Sequence, residues 1–181
     1  MAQACKITST YGPNVERMWP VLFDTARLYN LQQDRDVLAG LCGVIGHETA
    51  GRWWPIHEFG SSSDFDRYGR APNGQDYGGR GLIQTTWQGN YQVLQDYVER
   101  FGISVDLVNN PDLLLNDLTL AAHGALCYFV THANGACVAA CRQHDWGHVV
   151  YYVWGQYSPG TSVFDNYANQ VKYAAEYLLA R

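Results

Sequence analysis

The sequence predicts a mostly α-helical (α+β) domain with one long polar loop, or a short irregular sheet, inserted between helices. Apolar residues recur at helical spacing along most of the chain. In contrast, the segment 53–84 is rich in Gly, Ser, Asp, Asn and Pro and follows neither a helical nor a strand period. The chain has 181 residues, of which 47% are hydrophobic, and it shows no repeat or dividing linker. We therefore expect a single domain, 1–181.

Helical patterns flank the polar segment on both sides. The first helix is expected after Gly12-Pro13, and because Pro20 falls inside its apolar stripe, the helix should kink or begin there. The stripe consists of Val15, Met18, Trp19, Leu22, Phe23 and Ala26. Further helices are expected after Thr86, from Asp117, over 146–154 and over 162–179. A long irregular segment enclosed by helices in this way is usually functional.

The second helix carries the most informative residue, Glu48. Asp34 or Asp36 can cap the start of this helix, and Gly51 and Pro55 end it. Its buried face is formed by Val37, Leu38, Leu41, Val44 and Ile45. At 100° per residue, Glu48 lies on the same side, so its carboxyl group points towards the apolar interior. Burial raises a carboxyl pKa, as a general acid requires. Periodicity alone, however, favours a frayed last turn that leaves Glu48 in solvent.

A second carboxylate, Glu58, follows Glu48 after the helix has ended. In one continuous helix, the two residues would lie about 15 Å apart along the axis, but the break at Gly51 and Pro55 lets the chain fold back. Two carboxylates across a cleft form the acid–base pair of a glycosidase, and the inverting type needs roughly 6.5–9.5 Å between them. Taken alone, the pattern around Glu58 favours an ordinary solvated loop residue.

Charge and hydropathy exclude two classes of partner. The chain has 17 acidic and 12 basic residues, a formal net charge of −5, and no basic run longer than two residues, so nucleic acid is not expected to bind. Apolar stretches fall far short of the roughly 20 residues that span a bilayer, so no membrane insertion is expected. The first fourteen residues lack the basic and apolar regions of a signal peptide, so we expect synthesis and accumulation in a cytoplasm.

The cysteine pattern allows two alternatives to a glycosidase site. An odd number, Cys5, Cys42, Cys127, Cys137 and Cys141, favours reduced, buried thiols over a disulfide framework. The spacing of Cys137, Cys141, His144 and His148 is compatible with zinc, but also with two buried thiols and two ordinary histidines. A Cys42–His47 amidase or peptidase pair is disfavoured, because the two side chains point about 140° apart on a helix.

Three motifs in order make the glycosidase interpretation specific. They are the HETAG sequence at 47–51, the EFG sequence at 58–60 and the YGGRGLIQTTWQGNY sequence at 77–91. Together with the Asn110-Pro111-Asp112-Leu113-Leu114 stretch, they resemble chitinase-type glycoside hydrolase family 19, in particular its short bacteriophage endolysin branch. The resemblance covers roughly residues 35–130 and implies a lysozyme-like helical fold whose polar insertion forms the cleft.

The resemblance also implies roles for individual residues. Glu48 matches the general acid, Glu58 the general base, and Thr86 the hydroxyl that orients the attacking water with the base. Substrate binding is expected at Tyr77, Arg80, Gln84, Trp87 and Asn90. The Gly78-Gly79 pair is expected to let the backbone approach the ligand closely. One departure is that Trp154 stands where family members often have a substrate-binding Asn.

The expected function is that of a monomeric, cofactor-free and metal-free endolysin that hydrolyses β-1,4 bonds between N-acetylated sugars of peptidoglycan with inversion. It would accumulate in the host bacterial cytoplasm and act on the wall after the membrane has been permeabilised. The alternatives are a chitinase, a Cys/His amidase or peptidase, and a non-catalytic sugar-binding module. Either of the two peptidoglycan sugar linkages could be the one that is cut.

Overall fold

The computed structural model describes residues 12–181, and in these residues helices dominate around one small sheet. The α-helices of this part of the chain are α1 (Gly12–Leu28), α2 (Arg35–Glu48), α3 (Gln88–Val98), α4 (Leu113–Asn116), α5 (Leu118–Thr131), α6 (Ala136–Arg142), α7 (Trp146–Trp154) and α8 (Ser162–Leu179). Strands β1 (Ile56–His57) and β2 (Arg80–Gly81) pair antiparallel. Short 3-10 segments cover Ser62–Tyr68, Glu99–Phe101 and His132–Gly135. The predicted fold class is confirmed.

Helix α1 runs through Pro20 and does not begin there. The predicted stripe faces the interior, where Val15, Met18, Leu22 and Ala26 are buried. Pro20 lies on the exposed face. Because a proline deprives a carbonyl one turn earlier of its N–H partner, this position lets water bond to that carbonyl instead.

One helical stretch of the described chain, Leu118–Arg142, is by length and composition a candidate membrane span. In the structure it is divided into α5 and α6, because Ala133, Asn134 and Gly135 adopt left-handed backbone angles with φ of 46°, 57° and 79°. Helix α5 is buried along most of its length, from Leu120 to Phe129. The stretch therefore supplies the core of the domain with two separate helices.

Helices α2 and α8 are in direct backbone contact. Asp34 caps α2 by accepting a hydrogen bond from the Val37 N–H at 3.2 Å. At Gly43, a Cβ atom would lie 2.9 Å from Cα of Val171, a distance that real Cβ atoms essentially never show. Only glycine permits this approach, and it fixes the end of α2, where Glu48 lies, against α8.

Gly43→Ala is expected to destabilise the protein by about 1–3 kcal/mol, because the added methyl group forces α2 and α8 apart in a close-packed interior. The change is measured as the free energy of unfolding in urea. Gly147→Ala is the matched control, since the nearest atom to its added Cβ, Oδ1 of Asp145, lies at 3.7 Å. If Gly43→Ala were as stable as the wild type, α2 and α8 could not be packed as closely at Gly43 as the structure shows.

All four described cysteines are buried: Cys127, Cys137 and Cys141 are free thiols, and Cys42 packs inside α2. Cys5 lies outside the described residues. Burial raises the pKa of Cys127 to about 11 and that of Cys137 to about 12, which keeps both as thiols. Cys42 is fully buried in α2, so the geometry does not present it to a substrate.

The Cys/His spacing near the end of the chain does not converge on one point. Cys137 and Cys141 are buried in α6, whereas both histidines bond to aspartates on the surface. His144 pairs with Asp36 at 2.9 Å and His148 with Asp145 at 2.7 Å. Over residues 12–181, no group of three or more His, Cys, Asp or Glu side chains is placed to hold a metal ion.

Candidate active site

A cleft of about 700 Å³ lies where the end of α2 meets the polar segment and the end of α7. The long irregular segment 53–84 supplies much of the lining of this cleft. Its lining includes Glu48, Glu58, Gln84, Thr86, Trp87 and Trp154. The cleft thus brings together both carboxylates with amide, hydroxyl and aromatic side chains.

Glu48 is the last residue of α2 and lines the cleft. Protein atoms surround most of its carboxyl group. Burial raises its pKa from 4.5 to about 7. The negative charge of Glu58 acts in the same direction, whereas a 2.5 Å hydrogen bond from the Tyr167 hydroxyl to Oε1 opposes it. About half of the Glu48 carboxyl groups therefore hold a proton at pH 7, a far larger fraction than for a solvated glutamate.

Glu58 follows β1 and is fixed through its backbone and its side chain. Its N–H donates to the Gly79 carbonyl at 2.7 Å, and the Gly79 N–H donates to Oε2 at 3.2 Å. The Arg67 guanidinium lies 3.9 Å from Oε1, and about a third of the Glu58 side chain is exposed (33%). The carboxylate is thus oriented by donors while it keeps contact with water, as a general base requires.

Gly79 is the residue that makes this arrangement possible. A Cβ atom at position 79 would lie 2.8 Å from Oε1 of Gln84 and 3.3 Å from Cβ of Glu58. The glycine pair was expected to admit a ligand, but Gly78 and Gly79 are buried against side chains. Their small size allows the backbone to approach the candidate base instead.

Three of the expected substrate and water-binding residues line the cleft. Gln84 and Thr86 do so from the turn after β2, where Gln84 donates from Nε2 to the Ile56 carbonyl at 3.3 Å. Trp87 is 52% exposed, and its ring meets the Tyr68 ring edge-on at 4.9 Å. The positive φ of both Gln84 (56°) and Trp87 (67°) is an unusual backbone state that is often found at functional sites.

Tyr77 and Arg80, expected to bind substrate, are instead structural. Tyr77 is 1% exposed and donates to the Val108 carbonyl at 2.7 Å. Arg80 is 2% exposed and donates to Asp112 at 2.6 Å and to Asp76 at 3.1 Å. A buried guanidinium needs such partners, so Arg80 ties the second strand to the loops around it.

Asn90 also differs from expectation. It lines a separate cavity of about 200 Å³, whose lining also includes Tyr128 of α5 and His132 of the following 3-10 segment. Its Nδ2 donates to the Thr86 carbonyl at 2.7 Å. Asn90 thus supports the turn that presents Thr86 to the cleft, and no contact places its amide in the cleft itself.

Several cleft residues were not identified from the sequence. Phe59 is 69% exposed and stacks with Arg52 at 4.9 Å, and Arg67 and Tyr68 come from the 3-10 segment Ser62–Tyr68. Tyr167 on α8 also reaches the site, through Glu48. The sequence pattern indicates only that the hydroxyl of Tyr167, a tyrosine on a buried helical stripe, needs a hydrogen-bond partner, and it does not identify Glu48 as that partner.

A helical domain whose cleft holds an enclosed, protonated carboxyl group, an oriented carboxylate and exposed aromatic rings has the composition of a glycosidase site. The chain belongs to glycoside hydrolase family 19, since the family pattern described as chitinase class I matches residues 31–172. It is 34% identical to Chitinase 11 of Oryza sativa subsp. japonica over 103 residues, which are 56% of this chain and 38% of that protein. It is 35% identical to the acidic endochitinase of Petunia hybrida over 109 residues, 60% of this chain and 38% of that one.

Solved structures share the fold. Chitinase C from Streptomyces griseus HUT6037 superposes with a TM-score of 0.70 and 21% identity, covering 93% of this chain and 91% of that one. A bacterial family 19 chitinase superposes with a TM-score of 0.66 and 21% identity, covering 98% and 91%. The chain thus spans nearly all of these solved chains, but only about two fifths of the two plant chitinases (38%).

Proposed function

We propose that this chain hydrolyses β-1,4 bonds between N-acetylated sugars with inversion, using Glu48 as general acid and Glu58 as general base. The observation that carries the proposal is that one cleft holds both carboxyl groups in different environments. Burial keeps about half of the Glu48 carboxyl groups protonated near pH 7, while backbone and guanidinium donors orient Glu58 beside solvent. One buried carboxylic acid that holds a proton and one oriented carboxylate beside solvent suit the two roles of an acid–base pair.

In the proposed reaction, Glu48 gives its proton to the glycosidic oxygen as the bond from that oxygen to the anomeric carbon breaks. A water attacks the anomeric carbon from the opposite face and loses its proton to Glu58. Thr86, which lines the same cleft, helps to orient this water. The products are a sugar with inverted anomeric configuration and a free alcohol, and the enzyme ends with Glu48 ionised and Glu58 protonated.

Sugar binding is assigned to amide and aromatic groups in the cleft. A neutral glycan presents hydroxyls and flat CH faces, which suit the Gln84 amide and the exposed rings of Trp87 and Trp154.

Trp87→Ala is expected to raise KM by roughly three- to tenfold with a smaller change in kcat, because stacking of an aromatic ring is worth about 0.5–1.5 kcal/mol. Steady-state kinetics on a soluble oligosaccharide measure the effect, with the exposed Tyr173→Ala on α8 as control. Equal KM values would contradict the assignment.

For the natural substrate, we propose the glycan strands of peptidoglycan, with the chain acting as a phage lysin. The endolysin-like motifs support this choice, and so does Arg67, a cation at the cleft that can pair with the carboxylates of peptide-bearing strands. Chitin is the second candidate, because the relatives are named chitinases and endochitinases.

The test incubates the protein separately with purified peptidoglycan and with chitin oligosaccharides. New reducing ends without new free amines are expected, and ¹H NMR at early times should show the α-anomer first. Release of amines would favour an amidase or peptidase, and binding without any product would favour a sugar-binding module. Cleavage of chitin alone would replace peptidoglycan as the substrate.

The pH dependence of kcat/KM follows from the protonation of Glu48 in the free enzyme. Because the acid must carry a proton and its pKa lies at about 7, activity is expected to fall as pH rises through about 7. The alkaline limb of a profile of kcat/KM against pH measures this, since kcat/KM reports the ionisation of the free enzyme. Undiminished activity up to pH 9 would contradict Glu48 as the acid.

A further inference from the structure

Tyr167 has no role in the scheme above, although its hydroxyl contacts the candidate general acid. It lies on the buried stripe of α8 and is 4% exposed. Its hydroxyl donates a hydrogen bond to Oε1 of Glu48 at 2.5 Å. We propose that Tyr167 is a positioning residue that fixes the transferable proton of Glu48 on Oε2.

The direction of the hydrogen bond follows from what each group can do. If Glu48 donated from Oε1 to Tyr167, the phenolic hydrogen would be left buried without an acceptor, which is costly. If Tyr167 donates, both groups are satisfied and Oε1 is occupied as an acceptor. The proton of neutral Glu48 must then sit on Oε2, the oxygen that remains available to the glycosidic oxygen in the cleft.

Tyr167 also acts after the proton has moved. Proton transfer leaves a carboxylate in a poorly hydrated place, and a hydrogen bond to a charged acceptor is roughly twice as strong as one between neutral groups. The contact therefore strengthens as charge develops on Glu48, which is the condition for lowering the barrier. This step rests on the proposed acid role of Glu48.

The structure holds the Tyr167 ring in place. It stacks on the His47 ring with centroids 3.6 Å apart and planes 12° apart, and Nδ1 of His47 lies 3.1 Å from Oε1 of Gln170 on α8. The close contact between Gly43 and Val171 joins the same two helices. The phenol therefore cannot turn away from Glu48 without moving α8.

Other titratable groups surround Glu48 and enter the interpretation of any pH profile. Glu58 faces it from the cleft, and its charge raises the pKa of Glu48. Tyr128 on α5 lies close enough to Glu48 that the charge of Glu48 raises the pKa of Tyr128. The charge of an ionised Cys137 on α6 raises the pKa of Tyr167 in the same way. Arg67 lines the cleft, and His47 precedes Glu48 on its own helix. In contrast, Tyr167 hydrogen-bonds Glu48 and opposes the effect of burial.

The test is Tyr167→Phe, which keeps the ring and removes the hydroxyl. We expect kcat to fall roughly ten- to a hundredfold with little change in KM, and the alkaline limb to move to higher pH. The control is Tyr29→Phe, which removes a buried hydroxyl bonded to His123 and away from the cleft. If the alkaline limb of the Tyr167→Phe pH profile lies at the same pH as that of the wild type, the proposal is overturned, whatever the kcat of the variant.

A direct titration separates this inference from the proposed function. The ¹³C NMR shift of the Glu48 carboxyl is followed against pH in wild type and Tyr167→Phe, without any substrate. The midpoint should be higher in the variant, and equal midpoints would overturn the proposal. If Tyr167→Phe does not fold, 3-fluorotyrosine at 167 keeps the ring and should lower the midpoint, as a better donor does. Failure of the wild type to cleave any glycan would instead count against the proposed function.

Discussion

Glu48→Gln is expected to reduce glycan hydrolysis by about a hundred- to ten-thousandfold, the usual contribution of a general acid. Glutamine keeps the shape of the side chain and can still accept from Tyr167, but its amide is too weak an acid to protonate the leaving oxygen. The loss is measured as reducing ends released from peptidoglycan and chitin oligosaccharides. Substrates with a dinitrophenyl leaving group, which need no protonation, should recover part of the rate.

The same variant should be no less stable than the wild type at alkaline pH. The folded protein raises the pKa of Glu48 from 4.5 to about 7, so the folded state binds more protons than the unfolded state between these values. Stability contributed by Glu48 is therefore full below pH 4.5 and is lost as pH rises through about 7. Glu176→Gln, an exposed acid on α8, is the control for charge alone. Full activity of Glu48→Gln would refute the acid assignment.

Glu58→Gln is expected to cause a loss of similar size, about a hundred- to ten-thousandfold, because an amide cannot take a proton from the attacking water. In contrast to Glu48→Gln, a better leaving group should not restore the rate, since attack by water still lacks its base. The kinetic comparison of the two variants on natural and dinitrophenyl substrates distinguishes the two roles.

The control for Glu58 is Glu16→Gln on the exposed face of α1. The melting temperature of Glu58→Gln should stay close to that of the wild type, because the side chain is one-third exposed (33%) and glutamine can still accept from the Gly79 N–H. A dinitrophenyl substrate that rescues Glu58→Gln as well as Glu48→Gln would show that the roles are wrongly divided.

Much of the helical framework could be predicted from the sequence, because a helical stripe is a local property. The last two helices begin and end where the pattern places them, at Trp146–Trp154 and Ser162–Leu179. Helix α6 was not predicted, since seven residues of mostly Ala and Cys give no contrast between two faces. Pro20 was misleading because its effect depends on which side of α1 it occupies, which only packing decides.

The site was harder to predict than the helices. The motifs located Glu48, Glu58, Gln84 and Thr86, all of which line the cleft. They did not separate cleft residues from support residues, because the polar segment has no periodicity to show which side chains face inwards. Tyr167 was missed for another reason, since it contacts Glu48 across 119 positions of sequence. Such a contact depends on how α2 and α8 pack, and no local pattern records it.

The two candidate catalytic groups are supported by parts of the molecule that differ in their tolerance of change. A methyl group added at Gly43 would meet the backbone of α8, whereas the exposed turn at Gly74, in the segment that carries the base, has open space beside it, although the φ of 86° at Gly74 itself favours glycine. Surface loops accept insertions far more readily than packed helices do. Evolution or engineering can therefore lengthen the polar segment that carries Glu58 while the candidate proton donor, Glu48, stays where it is.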